Sequence, residues 1–275
     1  MQNIKLTLAY DGTDFSGWQI QPGQPTIQGA LCDVLEKITQ QRLQIHGAGR
    51  TDAGVHAAGQ VANFKTDSEL TASEFQRALN ALLPPSIRVV AADQAAPDFH
   101  ARWNAAAKTY RYRIFRGRVV PPFLWRYVHH DPFPLDLTAM AEAARQFEGE
   151  HDFTSFAAST GSEEDDRERT MTRVIYRSEI VRVTGEGLPG AGEEWVYTVR
   201  GKSFLRYMVR KIVGTLVDVG RSKLQPLDIP KLFELRDRTK SGPTMPPQGL
   251  CLSEVEYADM SKSDSVPASG MAPQE

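Results

Sequence analysis

Two cysteines among 275 residues, Cys32 and Cys251, are too few for a disulfide framework. Neither has a second Cys or a His at metal-ligand spacing, so a zinc site is not expected either. No run reaches the roughly 18 apolar residues of a membrane span, and no leader-type apolar stretch opens the chain, so the expected location is the cytoplasm. Phosphate loops, dinucleotide fingerprints and clusters of metal-ligating side chains are missing too, which leaves no cofactor and no metal to expect. A formal net charge of −2 argues against a general polyanion binder. No internal repeat is visible.

What the chain does have is an uneven distribution of charge. From His100 to His130 there are seven cations (Arg102, Lys108, Arg111, Arg113, Arg116, Arg118, Arg126) and no acid. From Val199 to Lys223, seven cations (Arg200, Lys202, Arg206, Arg210, Lys211, Arg221, Lys223) face only Asp218, which leaves −15 for the remainder. The first block interleaves Trp103, Tyr110, Tyr112 and Phe115 with its cations. Phosphate contact plus base stacking needs that mixture, although solvated strand faces would carry it equally well.

Residues 4–10 alternate as a half-buried strand and stop at the Tyr10-Asp11-Gly12-Thr13 turn signal. Thr26 caps a predicted helix carrying Ile27, Leu31, Val34, Leu35 and Ile38 and running to about Gln40. Strands are expected near Leu43–His46 and Gln60–Thr66. Thr71-Ala72-Ser73-Glu74 reads as a capping box opening a second helix that Pro84-Pro85 stops. With a strand over Ile87–Ala92, the order suits a ferredoxin-like unit. Downstream, Thr109–Phe115 alternates aromatic and basic residues as a strand does, and Leu137–Phe147 is a helical stripe with Gly149 as its C′ residue. Arg173–Val183 and Glu194–Arg200 read as a hairpin pair around the glycine-rich 185–192. A long apolar helix is expected from Ser203, then a shorter one from Pro226 to Arg236 and a strand over Leu250–Tyr257. The polar stretch 161–169 reads as an exposed loop and 261–275 as a disordered tail.

The loop Ala48-Gly49-Arg50-Thr51-Asp52-Ala53-Gly54-Val55-His56-Ala57 stands out. Its glycines, with Gly47, forbid a settled helix or strand and hold Asp52 in a shaped loop. A tight turn with Asp52 as a cap would also explain such a string. Arg210, flanked by core-type residues on the long helix, needs a carboxylate partner, and Asp52 could supply it. Asp11 and Asp14 read as turn residues, and His56 as a hydrogen-bonding residue in place of a ligand or general base. Trp18 and Gln19 are not decided by their context.

The loop AGRTDAGVHA, the opening YDGTDFSGWQ, FHARW followed by KTYRYRI, the tract HDFTSF and GKSFLRYMVRKIVG together resemble the tRNA pseudouridine synthases that modify the anticodon stem-loop. The resemblance spans about Lys5 to Tyr257. It departs from the pattern at Lys202-Ser203 and over 163–169. It implies an α+β pseudouridine synthase fold: two ferredoxin-like or RRM-like halves sharing a mainly antiparallel sheet with a central cleft. Residues 1–104 would carry the Asp loop and 105–260 the RNA-binding strand and long helix. The implied activity is isomerisation of uridine at nucleotides 38, 39 and/or 40 of tRNA. Asp52 matches the nucleophile, Arg210 its paired arginine, Tyr110 the ring that packs on the flipped uracil, and Arg50 the residue associated with displacing the base. Lys108 and Arg111, flanking Tyr110, are expected RNA contacts. The implied partners are tRNA, through anticodon stem-loop and elbow, and a second copy in a homodimer.

The chemistry is intelligible from the residues as well. One carboxylate can trap the sugar or C6 of the base, or remove the 2′ proton, without a redox step. On this reading Arg210 lowers the pKa of Asp52. Two other classes compete: a non-catalytic RNA-binding protein with two RRM-like sheets, and an Asp-nucleophile phosphotransferase, which would want an acid cluster beside Asp52.

Overall fold

The computed structural model describes residues 1–158, 170–183 and 192–258. The polar stretch 161–169, most of the glycine-rich 185–192 and the tail 261–275 lie outside the described residues. The first six elements are β1 (Gln2–Tyr10), α1 (Ile27–Thr39), β2 (Ile45–Gly47), β3 (His56–Thr66), α2 (Ala72–Leu82) and β4 (Ile87–Ala95). Their strands pair antiparallel in the order β4-β1-β3-β2, the ferredoxin-like arrangement. Local chemistry explains both helices. The Thr26 hydroxyl accepts from the Gly29 amide, and Ile27, Leu31, Val34 and Leu35 form the buried stripe of α1. Thr71 and Glu74 complete the capping box of α2, and Leu83, preceding Pro84, is driven into extended backbone that ends it.

The chain continues through β5 (Ala105–Phe115), β6 (His129–His130), α3 (Leu137–Arg145), β7 (Gly149–Asp152), β8 (Thr172–Val183), β9 (Glu194–Gly201), α4 (Met208–Gly220), α5 (Ile229–Leu235) and β10 (Leu250–Tyr257). One sheet results, ordered β4-β1-β3-β10-β5-β9-β8-β7, with β2 on β3 and β6 on β5. The last strand is the joint. β10 lies parallel to β3, pairing Cys251 with His56 and Leu252 with Ala57, and antiparallel to β5. Every ladder except β10–β3 and β5–β6 is antiparallel.

The helices cover one face. Ile4, Leu6, Leu8 and Tyr10 of β1 and Tyr110, Tyr112 and Ile114 of β5 share one core with Leu31, Phe75, Met140 and Ile212 from α1 to α4. Each such aliphatic or aromatic burial stabilises by about 1.5–3 kcal/mol relative to exposure. Period-two alternation sends Thr109 and Arg111 to the other face, where they line a shallow hollow with Lys5, Thr7, Gly59 and Ser253. Phe115 breaks the alternation and is fully buried, closed over by Gly117 and His130.

Three local expectations are corrected. The long helix starts at Met208, not Ser203, because Tyr207 takes a left-handed φ of 61° that a helix interior does not carry. Gly149 does not cap α3, whose chain leaves through Gln146; its φ of 102° opens β7 instead. β3 begins at His56, four residues ahead of Gln60, so it runs straight out of the Asp52 loop.

Candidate active site

The loop between β2 and β3 is tied to its surroundings by its backbone. The Trp18 amide donates to the Thr51 carbonyl at 3.0 Å, the Ala48 amide to Val61 at 2.7 Å, and the Gly54 amide to Phe15 at 3.2 Å. Gln60 Nε2 donates to the Gly49 carbonyl at 2.8 Å, and the Thr51 and Tyr10 hydroxyls meet at 2.9 Å. Two glycines are required by contact. A Cβ at Gly47 would sit 2.6 Å from the Trp18 ring; at Gly54, where φ is 76°, it would sit 2.8 Å from Pro247 Cγ. Trp18 is therefore core, 2% exposed and packed under the loop. Gln19 donates to Gln28, which in turn donates to the Ile45 carbonyl of β2.

On this fixed loop Asp52 meets Arg210 of α4, with Nη1 3.6 Å from Oδ2 and the two side chains 13% and 24% exposed, arginine first. Arg210 is itself held: its Nε donates to the Met245 carbonyl at 2.6 Å, and its guanidinium lies 4.9 Å from the Tyr207 ring centroid. The left-handed Tyr207 thus has a use, since its backbone cost, of order 1 kcal/mol, places a ring under the arginine. Burial raises the Asp52 carboxyl above its ordinary value of 3.8, outweighing the opposing pull of Arg210 and Arg206. Arg210 does pull the value down, as expected, but at 3.6 Å it does not cancel desolvation.

Tyr110 lies on the same side of β5 as the core, 7% exposed, with its ring edge-to-face on Phe204 at 5.0 Å. Among the described residues nothing hydrogen-bonds its hydroxyl. Burial raises that hydroxyl's pKa, and the charges of Tyr10 and Asp52 add to the effect, which places Tyr110 within electrostatic reach of the carboxylate. Tyr112, two residues on, differs: it is fully buried and donates to the Pro246 carbonyl at 2.9 Å. Lys108 also points to this side. A Cβ on Gly49 would lie 3.5 Å from its Cε, and burial, with Arg102 adding, lowers its pKa to about 8. Arg50 is exposed on the loop and unpaired among the described residues. Arg111 is not brought to Asp52; it faces the hollow on the opposite side of the sheet.

Seven of the fourteen cations in the two basic blocks are ion-paired among the described residues. Arg113 pairs with Glu194, Arg116 and Arg221 with Asp131, Arg126 with Asp11 and Asp14, and Arg200 with Glu256. Asp11 does more than turn the chain. Its carboxylate accepts from the Thr13 amide and hydroxyl and from the Tyr127 hydroxyl at 3.0 Å, and Arg126 reaches it at 3.4 Å. His56 beside it accepts from the Gly12 amide on Nδ1, and its Nε2 lies 2.9 Å from the Arg126 carbonyl. Burial lowers its pKa, so it is a neutral hydrogen-bonding residue. Phe204, Tyr207, Met245 and Asp11 were missed in the sequence.

With this geometry in view, comparison with known proteins is decisive. A family model described as tRNA pseudouridine synthase matches residues 7–104 and 143–258. The chain belongs to the tRNA pseudouridine synthase family. Asp52 and Arg210 fall inside the matched stretches, and Tyr110 falls between them. The chain is 45% identical over 258 residues to tRNA pseudouridine synthase A of Solibacter usitatus, covering 94% of this chain and 100% of that one. It is 41% identical over 259 residues to the protein of that name from Caldicellulosiruptor saccharolyticus and 42% over 257 to that from Brevibacillus brevis, with the same coverage in each. Members of the family are isomerases. The chain is accordingly an enzyme, and the reading as a non-catalytic RNA-binding protein is set aside. No helix among the described residues is long and apolar enough to cross a membrane.

Proposed function

We propose that this enzyme isomerises uridine to pseudouridine in tRNA, at nucleotides 38, 39 and/or 40 of the anticodon stem-loop, with Asp52 as nucleophile. The observation that carries this reading is the Asp52–Arg210 pair on a backbone-tied loop, with the unengaged Tyr110 hydroxyl in its field. The reaction breaks the N1–C1′ bond, turns the uracil, and forms the C5–C1′ bond, with loss of the C5 proton to a base and gain of one at N1. Asp52 attacks C1′ or C6, or removes the 2′ proton; each route needs an ionised carboxylate with free lone pairs. Arg210 fixes its orientation and keeps it charged despite burial. The target base leaves its stack at a cost of a few kcal/mol. Tyr110 packs on it, and its hydroxyl is placed to move a proton; Arg50 fills the space vacated, and Lys108 holds a phosphate beside Gly49. The division near residues 104 and 105 and a homodimeric state belong to the same proposal.

The test incubates the purified protein with unmodified tRNA transcripts, without added cofactor, and maps pseudouridine by position. Product confined to nucleotides 38–40 supports the reading. Product elsewhere in the tRNA overturns the assigned positions, and none at all overturns the substrate.

A further inference from the structure

A second aromatic feature adjoins the Asp52 loop and takes no part in the chemistry above. His46 on β2, His100 and Trp103 make a run of rings, with centroids 4.6 Å apart for His46–His100 and 5.4 Å for His100–Trp103. The Arg102 guanidinium lies 4.9 Å from the Trp103 ring. Trp103 is 71% exposed, on a turn that is anything but loose. Asn104 Oδ1 accepts from the His100 amide at 2.7 Å, the Asn104 amide donates to the His100 carbonyl, and His100 Nδ1 accepts from the amides of Arg102 and Trp103. Those two donors leave Nδ1 without a proton and lock the imidazole plane. The turn is also anchored to the catalytic loop, because Ala101 is fully buried against Ala48 and Val61 and its amide donates to Asn63.

We infer that His46, His100 and Trp103 form a preorganised stacking platform for an unpaired base of the RNA substrate, neighbouring the base taken at Asp52. The inference rests on the tRNA reading and adds a binding subsite to it. An exposed indole on a rigid turn offers a π-face at little entropic cost, and every base can use it. Arg102 and Lys108, the cations nearest this path, carry no ion pair among the described residues, whereas Arg113, Arg116 and Arg126 of the same block do. Phosphates on either side of the stacked base would supply their missing partners.

The experiment titrates a labelled anticodon-arm hairpin transcript with full-length protein and follows anisotropy, alongside steady-state kinetics on tRNA. Trp103→Ala is expected to weaken hairpin binding about tenfold to a hundredfold and raise KM, with kcat and sedimentation mass unchanged; Trp103→Phe, which keeps a ring, stays within about threefold. A direct readout comes from Trp125→Phe protein. There Trp103 is the exposed indole, Trp18 and Trp195 being 2% and 5% exposed, and its emission is expected to be quenched on hairpin binding. Unchanged affinity of Trp103→Ala overturns the inference. So does weaker binding accompanied by altered mass, which would make the ring a contact between copies of this chain. Pseudouridine mapping with unsubstituted protein tests the parent reading separately. If no product forms while hairpin binding still depends on Trp103, the platform stands and the reaction assignment falls.

Discussion

Asp11 and Asp52 invite comparison because each binds a segment before β5 to one after it, and burial works against the charge of both. Asp11 collects donors from Thr13, Tyr127 and Arg126; although burial opposes its charge, the bonds from Thr13 and Tyr127, with His56 beside it, lower its pKa. Asp52 has one guanidinium at 3.6 Å, and desolvation wins. The difference separates a carboxylate used up as a staple from one held nearly bare. A saturated carboxylate has no lone pair to give, whereas one kept charged by loosely placed guanidinium groups retains nucleophilicity.

The largest expected effect sharpens that contrast. Asp52→Asn should lower single-turnover pseudouridine formation by more than about a hundredfold while tRNA binding stays near wild type. Its Tm at neutral pH should not fall, because a carboxyl with a raised folded pKa costs stability once ionised. Residual turnover above that level would break the assignment of Asp52. In the unsubstituted enzyme kcat should fall as pH drops through a value above 3.8, the ordinary carboxylate figure. Next in size, Tyr110→Phe should keep tRNA affinity and lose most of the rate, with Tyr112→Phe, whose hydroxyl only donates to Pro246, remaining active at a stability cost of about 1 kcal/mol. The reverse pattern in single-turnover assays would move the cleft two residues along β5.

Much of this was legible beforehand because it is written in local periodicity. The stripe of α1, the Thr71–Glu74 capping box and the alternation of β5 are nearest-neighbour signals. The Asp52 loop was visible through its glycines, and the partnership with Arg210 through the cost of an arginine among apolar residues. What was not legible is long-range. Nothing local says that β10 inserts between β3 and β5, that Met245 accepts from Arg210, or that Asp11 receives Tyr127. Counting charge misled for the same reason. Arg113, Arg116, Arg126, Arg200 and Arg221 were counted as surface cations, but acids far along the chain pair with them.

A third prediction attacks the staple. Asp11→Asn should destabilise by about 1–3 kcal/mol, since several donors lose a charged acceptor, yet leave kcat within a few fold. The sign with pH follows from the lowered pKa: the contribution is full above the ordinary 3.8 and drains away as pH falls through the folded value. The Tm deficit of the variant should therefore shrink in acid. A large kcat defect with unchanged Tm would show that Asp11 is no mere staple.

The smallest effect carries the comparison over to a cation. Lys108 resembles Asp52 and not Asp11: it is half-buried, lies against Gly49, has no ion pair among the described residues, and titrates at about 8. Burial with Arg102 nearby disfavours its charged form, so the proton is held below that pH and lost above it. If the ammonium meets a phosphate of the substrate, tRNA affinity should be steady from pH 6.5 to 7.5 and drop several-fold between 7.5 and 9. Lys211, whose pKa burial also lowers, is the cation that substitution must tell apart from Lys108; arginines stay protonated throughout, and burial lowers the pKa values of His56 and His100. Lys108→Met should show the weaker affinity at all these pH values and lose the step, while Lys108→Arg should keep the tighter binding and flatten it. Persistence of the step in both variants would reassign it to another group and leave Asp52 as the bare charge of this site.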